Sequence, residues 1–194
     1  MERVRSFVAI ELPEKLKSEL IELSEHLESG GHSGVRWVDP RGIHLTLKFL
    51  GDVAVDRLDN ITAALREAAS GVSPFRLEVG GLGVFPNPRR VRVAWVGISG
   101  ELDRLRQLQQ RVESSLAEIG FPAEPRGFTP HLTLARVRDQ VSPEERQNFG
   151  RLIESTDFKA TQNITVDMVF LMRSQLTRQG AIYSRLSSVG LGEG

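Results

Sequence analysis

Two rhythms of apolar and polar positions run along this chain. Residues 4–12, from Val4 to Leu12, read as a first strand. Pro13 is suited to the first turn of a helix at N1, and Leu16, Leu20, Leu23 and Leu27 keep one helical face apolar to about residue 28, where Gly30-Gly31 ends it. Trp37-Val38 and residues 43–50 read as strand, closed by Gly51-Asp52. Leu58, Ile61, Leu65 and Ala68 mark a second helix over roughly 54–70. Residues 74–82 and 90–98 form a hairpin pattern around the turn-rich Phe85-Pro86-Asn87-Pro88.

The second half repeats the scheme. Leu102, Leu105, Leu108, Val112, Leu116 and Ile119 give the clearest amphipathic helix, about 100–119, stopped by Gly120. Residues 131–138 read as strand. Ser142-Pro143-Glu144-Glu145 has the order of a helix start, with Ser at the N-cap, Pro at N1 and acids in the first turn. Strands are expected near 157–173 and 180–188, and the tail 190–194 is expected to be mobile. No long linker divides the chain. These elements predict one compact α/β or α+β domain over residues 1–194, made of two similar lobes. Several strands follow one another without a helix between them, so mostly antiparallel sheets are expected rather than a doubly wound parallel one.

Composition narrows the chemistry. The 194 residues are 40% hydrophobic and 26% charged, ordinary for a soluble domain. No apolar run reaches the length of a membrane span, and the apolar core of the N-terminal segment is too short for a secretory signal, so a cytoplasmic location is expected. Cysteine is absent, which removes disulfides, thiolate metal sites and cysteine nucleophiles. The formal net charge is zero, unlike a protein that coats long duplexes. Yet 21 of the 25 basic residues are arginine, whose planar fork suits phosphate oxygens.

Two of the four histidines sit in two copies of one tetrapeptide, His44-Leu45-Thr46-Leu47 and His131-Leu132-Thr133-Leu134. Each copy is approached by an acid, then Pro-Arg-Gly: Asp39-Pro40-Arg41-Gly42 and Glu124-Pro125-Arg126-Gly127. On a strand, side chains alternate between faces, so each copy shows an imidazole beside a hydroxyl while its leucines enter the core. If the two halves face each other, a cleft holds two imidazoles and two hydroxyls. One imidazole can take a proton from a nucleophile while the other gives one to a leaving group. Threonine hydroxyls can donate to phosphoryl oxygens. That set suits metal-free opening of a cyclic phosphodiester. A zinc site would need a third ligand, and neither motif supplies a nearby carboxylate. His26, in a polar helical stretch, and His32, in a Gly/Ser loop, read as solvated bystanders. Arg41 and Arg126 either edge the groove or pair with Asp39 and Glu124.

These stretches resemble the 2H phosphoesterases, and in particular the RNA 2′,3′-cyclic phosphodiesterases also called 2′-5′ RNA ligases. The resemblance rests on "RSFVAIELP", "VRWVDPRGIHLTLKFLG", "GLGVFPNPRRVRVAWVGI", "FTPHLTLARV" and "VFLMRSQLTRQGAIYSRL", and spans nearly the whole chain. It implies a bilobal, two-fold related α+β fold with both motifs lining a central groove, helices outside, and neither metal nor cofactor. It implies His44 as proton donor to the leaving 3′-oxygen and His131 as the base that activates water, leaving a 2′-phosphate. It further implies Thr46 and Thr133 as phosphate ligands, Arg136 near the phosphate, and Phe85 stacked on a base. The expected partners are RNA ends or small 2′,3′-cyclic nucleotides, with no membrane and a monomeric enzyme. Ligation through a 2′-5′ bond would be the formal reverse. A phosphodiesterase for another cyclic phosphate, or a module that binds nucleotides without chemistry, remains the alternative.

Overall fold

A computed structural model describes residues 2–178 and 180–192. Nine strands and four α-helices follow in the order β1 (Arg3–Glu11), α1 (Glu14–Glu28), β2 (Val35–Trp37), β3 (His44–Ala54), α2 (Leu58–Ala69), β4 (Phe75–Phe85), β5 (Val93–Gly100), α3 (Leu102–Glu118), β6 (His131–Val137), α4 (Pro143–Ser155), β7 (Ile164–Val166), β8 (Met168–Thr177) and β9 (Gly180–Gly190). They form two antiparallel sheets, one ordered β3-β1-β8-β9 and the other β2-β6-β5-β4-β7. The fold is α+β, as expected.

Chain order and sheet order do not coincide. The last two strands return to pair beside β1, while β2 leaves the first lobe to pair with β6. Apolar faces of α1, α2 and α3 supply Leu16, Leu20, Leu27, Ile61, Leu65, Leu105, Leu108 and Leu116, all fully buried, to a core shared with Leu45, Leu47, Leu132 and Leu134. Burying each such leucine contributes about 1.5–3 kcal/mol. The motif leucines therefore anchor both motif strands in one core.

Several boundaries move for local reasons. Pro13 is the N-cap of α1, one position earlier than N1. Gly51 does not close β3. It adopts φ +70°, which glycine tolerates, and the strand bulges through it to Ala54. α2 starts at Leu58 after a 3-10 turn over Val55–Arg57. β4 runs on to Phe85, three residues past the expected end, by bulging between Val79 and Leu82. Residues 157–163 form no strand beyond the single bridge of Lys159 to Gly80. The tail is held as far as it is described: Gly190 ends β9, and Leu191 is only 7% exposed with its amide donating to the Asp167 carbonyl. Residues 193 and 194 lie outside the described residues. The helix start at Ser142 has the expected form, with reciprocal hydrogen bonds between Ser142 and Glu145. No helix is long and apolar enough to cross a membrane among the described residues.

Candidate active site

The two tetrapeptides are structural equivalents down to single hydrogen bonds. His44 opens β3 and His131 opens β6. His44 Nδ1 lies 2.7 Å from the Gly42 carbonyl oxygen, and His131 Nδ1 lies 2.7 Å from the Thr129 carbonyl oxygen. A carbonyl only accepts, so Nδ1 carries the proton in each ring. That leaves Nε2 of both imidazoles without a backbone partner, the nitrogen at which a proton could be gained or lost. Each strand then bulges at the same place. Thr46 pairs with Ala9 and Lys48 with Val8, skipping Leu47. Thr133 pairs with Trp95 and Ala135 with Ala94, skipping Leu134. The bulge drives two successive residues toward the core, so His44, Thr46 and Phe49 share one face of β3, as His131, Thr133 and Arg136 share one face of β6. The Thr46 and Thr133 hydroxyls make no hydrogen bond with any described residue, and both residues are half-buried. Each is a donor without a partner beside an imidazole.

The surroundings of the two rings differ. Phe7 of β1 stacks on His44 with centroids 4.5 Å apart and planes at 24°. Tyr183 of β9 stands edge-on to it at 4.9 Å. This burial pushes the His44 pKa below its ordinary 6.5, opposed by the Gly42 carbonyl and the nearby Glu11 carboxylate. Glu11 is itself held by Arg185, which donates to both of its carboxylate oxygens. His131 is more open, with Phe85 edge-on at 5.1 Å and 89°. Phe85 in turn lies 5.2 Å from Trp95, whose indole crosses Gly83 so closely that a Cβ there would stand 2.2 Å from the ring. Glycine at 83 is therefore what lets the Trp95 indole cross the backbone there, with its ring tilted 38° to that of Phe85.

Arg136 is exposed and has no ion pair or hydrogen bond with any described residue. Directly opposite it on β2 stands Arg36, equally unpaired. Tyr183 links the lobes. Arg136 of one sheet and Arg5 of the other both lie near enough to favour its ionised form, although burial dominates and raises the phenol pKa. β3 and β6 also pack against each other. Arg41 pairs with Asp39 at 3.5 Å, whereas Arg126 meets Glu124 only through its backbone amide. His26 lies in the last turn of α1, whose C-cap is Ser29, and His32 sits edge-on to the core Phe149. No three His, Asp or Glu side chains cluster as a metal site would require among the described residues.

Sequence reasoning passed over Phe7, Tyr183 and Arg36. Tyr183 is the only tyrosine in the chain and sits on an alternating strand, which was the available signal. Nothing in the sequence alone pairs Arg36 with Arg136, because β2 changes lobe.

Two consecutive stretches, residues 10–95 and 96–183, each match the family described as LigT like Phosphoesterase. The chain belongs to this family. It is 35% identical over 182 residues to a protein of Methanothermobacter thermautotrophicus named RNA 2′,3′-cyclic phosphodiesterase, covering 94% of this chain and 96% of the relative. The crystal structure of TT0787 of Thermus thermophilus superimposes with a TM-score of 0.79 at 27% identity, covering 97% of this chain and 98% of that one. The structure of E. coli LigT complexed with 3′-AMP shares the fold, with a TM-score of 0.77 at 24% identity over 99% and 100% of the two chains. The boundary between the two matched stretches falls within β5, so each family repeat carries one His-x-Thr strand.

Proposed function

We propose that this protein hydrolyses RNA 2′,3′-cyclic phosphate ends, or 2′,3′-cyclic nucleotides, to 2′-phosphates by acid–base catalysis between two histidines. The observation that carries this reading is the duplicated device: two imidazoles, each fixed through Nδ1 with Nε2 left to act, each beside a threonine hydroxyl without a partner. Binding alone needs no such acid–base pair. The name carried by relatives such as that of Methanothermobacter thermautotrophicus supports the choice of substrate.

In this mechanism His131 Nε2 takes a proton from water as the water oxygen attacks phosphorus. The bond from phosphorus to the 3′-oxygen breaks, and His44 Nε2–H gives its proton to that oxygen. A 2′-phosphate and a free 3′-hydroxyl result. Thr46 and Thr133 donate to the non-bridging oxygens, whose charge grows in the transition state, and Arg136 balances that charge. Phe85 stacks on a base. Burial disfavours the charged form of His44, the form a proton donor needs. A phosphoryl anion beside Nε2 acts against burial and restores that form when substrate is bound. A 5′-hydroxyl in place of water gives a 2′-5′ linkage by the same steps. Both histidines come from one chain, which supports a monomeric enzyme.

The test is hydrolysis of a short RNA ending in a 2′,3′-cyclic phosphate, in EDTA, by wild type, H44A and H131A. Each substitution is expected to cost about 10²–10⁴ in rate. Full activity in either variant removes its assigned role. Loss of wild-type activity in EDTA, restored by added metal, ends the metal-free mechanism. A 3′-phosphate product would mean that the other oxygen leaves.

A further inference from the structure

One large side chain on the motif face has no structural explanation. Phe49 is 71% exposed, the most exposed large hydrophobic residue described. An exposed phenyl ring gains little for folding, since its surface stays in water. It lies on the same face of β3 as His44 and Thr46, paired in register with Phe7. The ring steps are short: Phe7 to His44 is 4.5 Å, and Phe7 to Phe49 is 6.2 Å.

Beside it stands a cation without a partner. Arg5 shares the Phe7 face of β1, because alternate residues of a strand point the same way. It makes no ion pair or hydrogen bond with any described residue, including Asp52, which is opposite it in register. Phe49 also occupies, in the first repeat, the position that Arg136 holds in the second, since each follows its motif threonine by three residues across the same bulge. The two repeats thus place different groups at equivalent points: a guanidinium near His131, a ring near His44. An exposed ring next to an unpaired guanidinium is the pairing by which proteins hold one nucleotide of a single strand, the base on the ring and the phosphate on the cation.

The direction of the reaction says which nucleotide. Nucleophile and leaving group lie on opposite sides of phosphorus in an in-line displacement. With His131 on the side of water and His44 on the side of the 3′-oxygen, the ribose that keeps the phosphate lies toward His44. Its 5′-linked neighbour continues over the same lobe, where Phe49 and Arg5 stand. We infer that Phe49 and Arg5 form a subsite for the nucleotide on the 5′ side of the cyclic end, Phe49 stacking on its base and Arg5 meeting the phosphodiester that joins the two. This inference rests on the catalytic reading above and narrows it: the preferred substrate class is an RNA chain end of two or more nucleotides, rather than a 2′,3′-cyclic mononucleotide.

The experiment compares kcat/KM for a dinucleotide ending in a 2′,3′-cyclic phosphate with that for the corresponding cyclic mononucleotide. Wild type, F49A, F49W and R5A are each assayed. Both side chains are exposed, so the variants are expected to fold. Wild type should prefer the dinucleotide. F49A should lower that preference about tenfold, and F49W should keep it. R5A should lower it too, and should flatten its dependence on salt. A wild type without the preference, an F49A variant that keeps it, or an F49A loss equal on both substrates would overturn the inference. Calorimetry with a dinucleotide and a mononucleotide that each end in a 2′-phosphate reads the subsite without turnover. Tighter binding of the dinucleotide that is lost in F49A, by a wild type that hydrolyses neither cyclic substrate, would sustain the subsite and sink the catalytic reading. Equal binding of both would sink the subsite.

Discussion

Tyr183 stands edge-on to His44, with ring centroids 4.9 Å apart and planes at 82°, and the same ring lies against Gly42, whose carbonyl holds His44 Nδ1. A Cβ at Gly42 would already come within 3.0 Å of the phenol ring. One aromatic side chain thus covers both the imidazole and the backbone that orients it. Burial is the leading cause of the lowered His44 pKa. Y183A should therefore let water reach the ring and move the His44 pKa up toward 6.5, whereas Y183F should leave it low. NMR titration of the imidazole protons reads this directly. An unchanged pKa in Y183A would mean that Phe7 alone supplies the burial.

The same shift makes stability depend on pH. The folded protein resists protonating His44 below 6.5, while the unfolded chain takes the proton at its ordinary pKa. The contribution of His44 to stability is therefore complete above about pH 6.5. It is lost as pH falls from there through the lower pKa of the folded state. H44Q should flatten the stability profile in that window and leave the slope above it alone. Urea midpoints taken at half-unit steps from about pH 7.5 to 5 are the measurement. An equal slope in wild type and H44Q would show that other groups govern the acid limb.

The repeated motifs were legible because strand alternation fixes faces from sequence alone. His44 and Thr46 had to share a face, and so did His131 and Thr133. The helices were legible from their leucine spacing, and the start of α4 from Ser142 and Glu145. What was hidden depends on pairing between distant strands. Tyr183 reaches His44 only because β8 and β9 return to the sheet of β1. The strand ends at Gly51 and Phe85 were misplaced because bulges carry a chain through residues that otherwise end strands.

Arg36 and Arg136 face each other across β2 and β6 without a carboxylate between them. Like charges directly opposite in a sheet are destabilising, although solvent screens two exposed guanidinium groups. R136A should leave the free protein as stable as wild type or slightly more so, while raising KM for a cyclic phosphate. A residue kept for folding would behave in the reverse way. Thermal melts with and without inorganic phosphate separate the two effects: phosphate should raise the Tm of wild type more than that of R136A. A lower Tm of R136A without phosphate, together with an unchanged KM, would place Arg136 outside the site.

Lys48 lies just beyond the first motif and points away from the groove, only 6% exposed. Its Nζ donates to Glu113 Oε2 at 2.5 Å and to the Pro122 carbonyl at 2.8 Å. Glu113, on α3, also accepts from Gln109 Nε2 at 3.2 Å and from the Glu124 amide at 3.2 Å. One buried ion pair thus fastens the strand of the first histidine to the segment that leads into the second. Removing one partner leaves a buried charge alone, which costs about 3–5 kcal/mol, whereas replacing both with apolar side chains is often near neutral. E113A should lower stability by that amount, and K48M/E113L by much less. The double variant would still lose the anchors at Pro122 and Glu124, so its approach to His131 would loosen. It should therefore fold well yet turn over cyclic phosphate more slowly than wild type. Urea unfolding and kcat, measured on the same samples, test both halves. A double variant as unstable as E113A would mean that the hydrogen bonds to the segment, rather than the paired charges, hold this part of the fold.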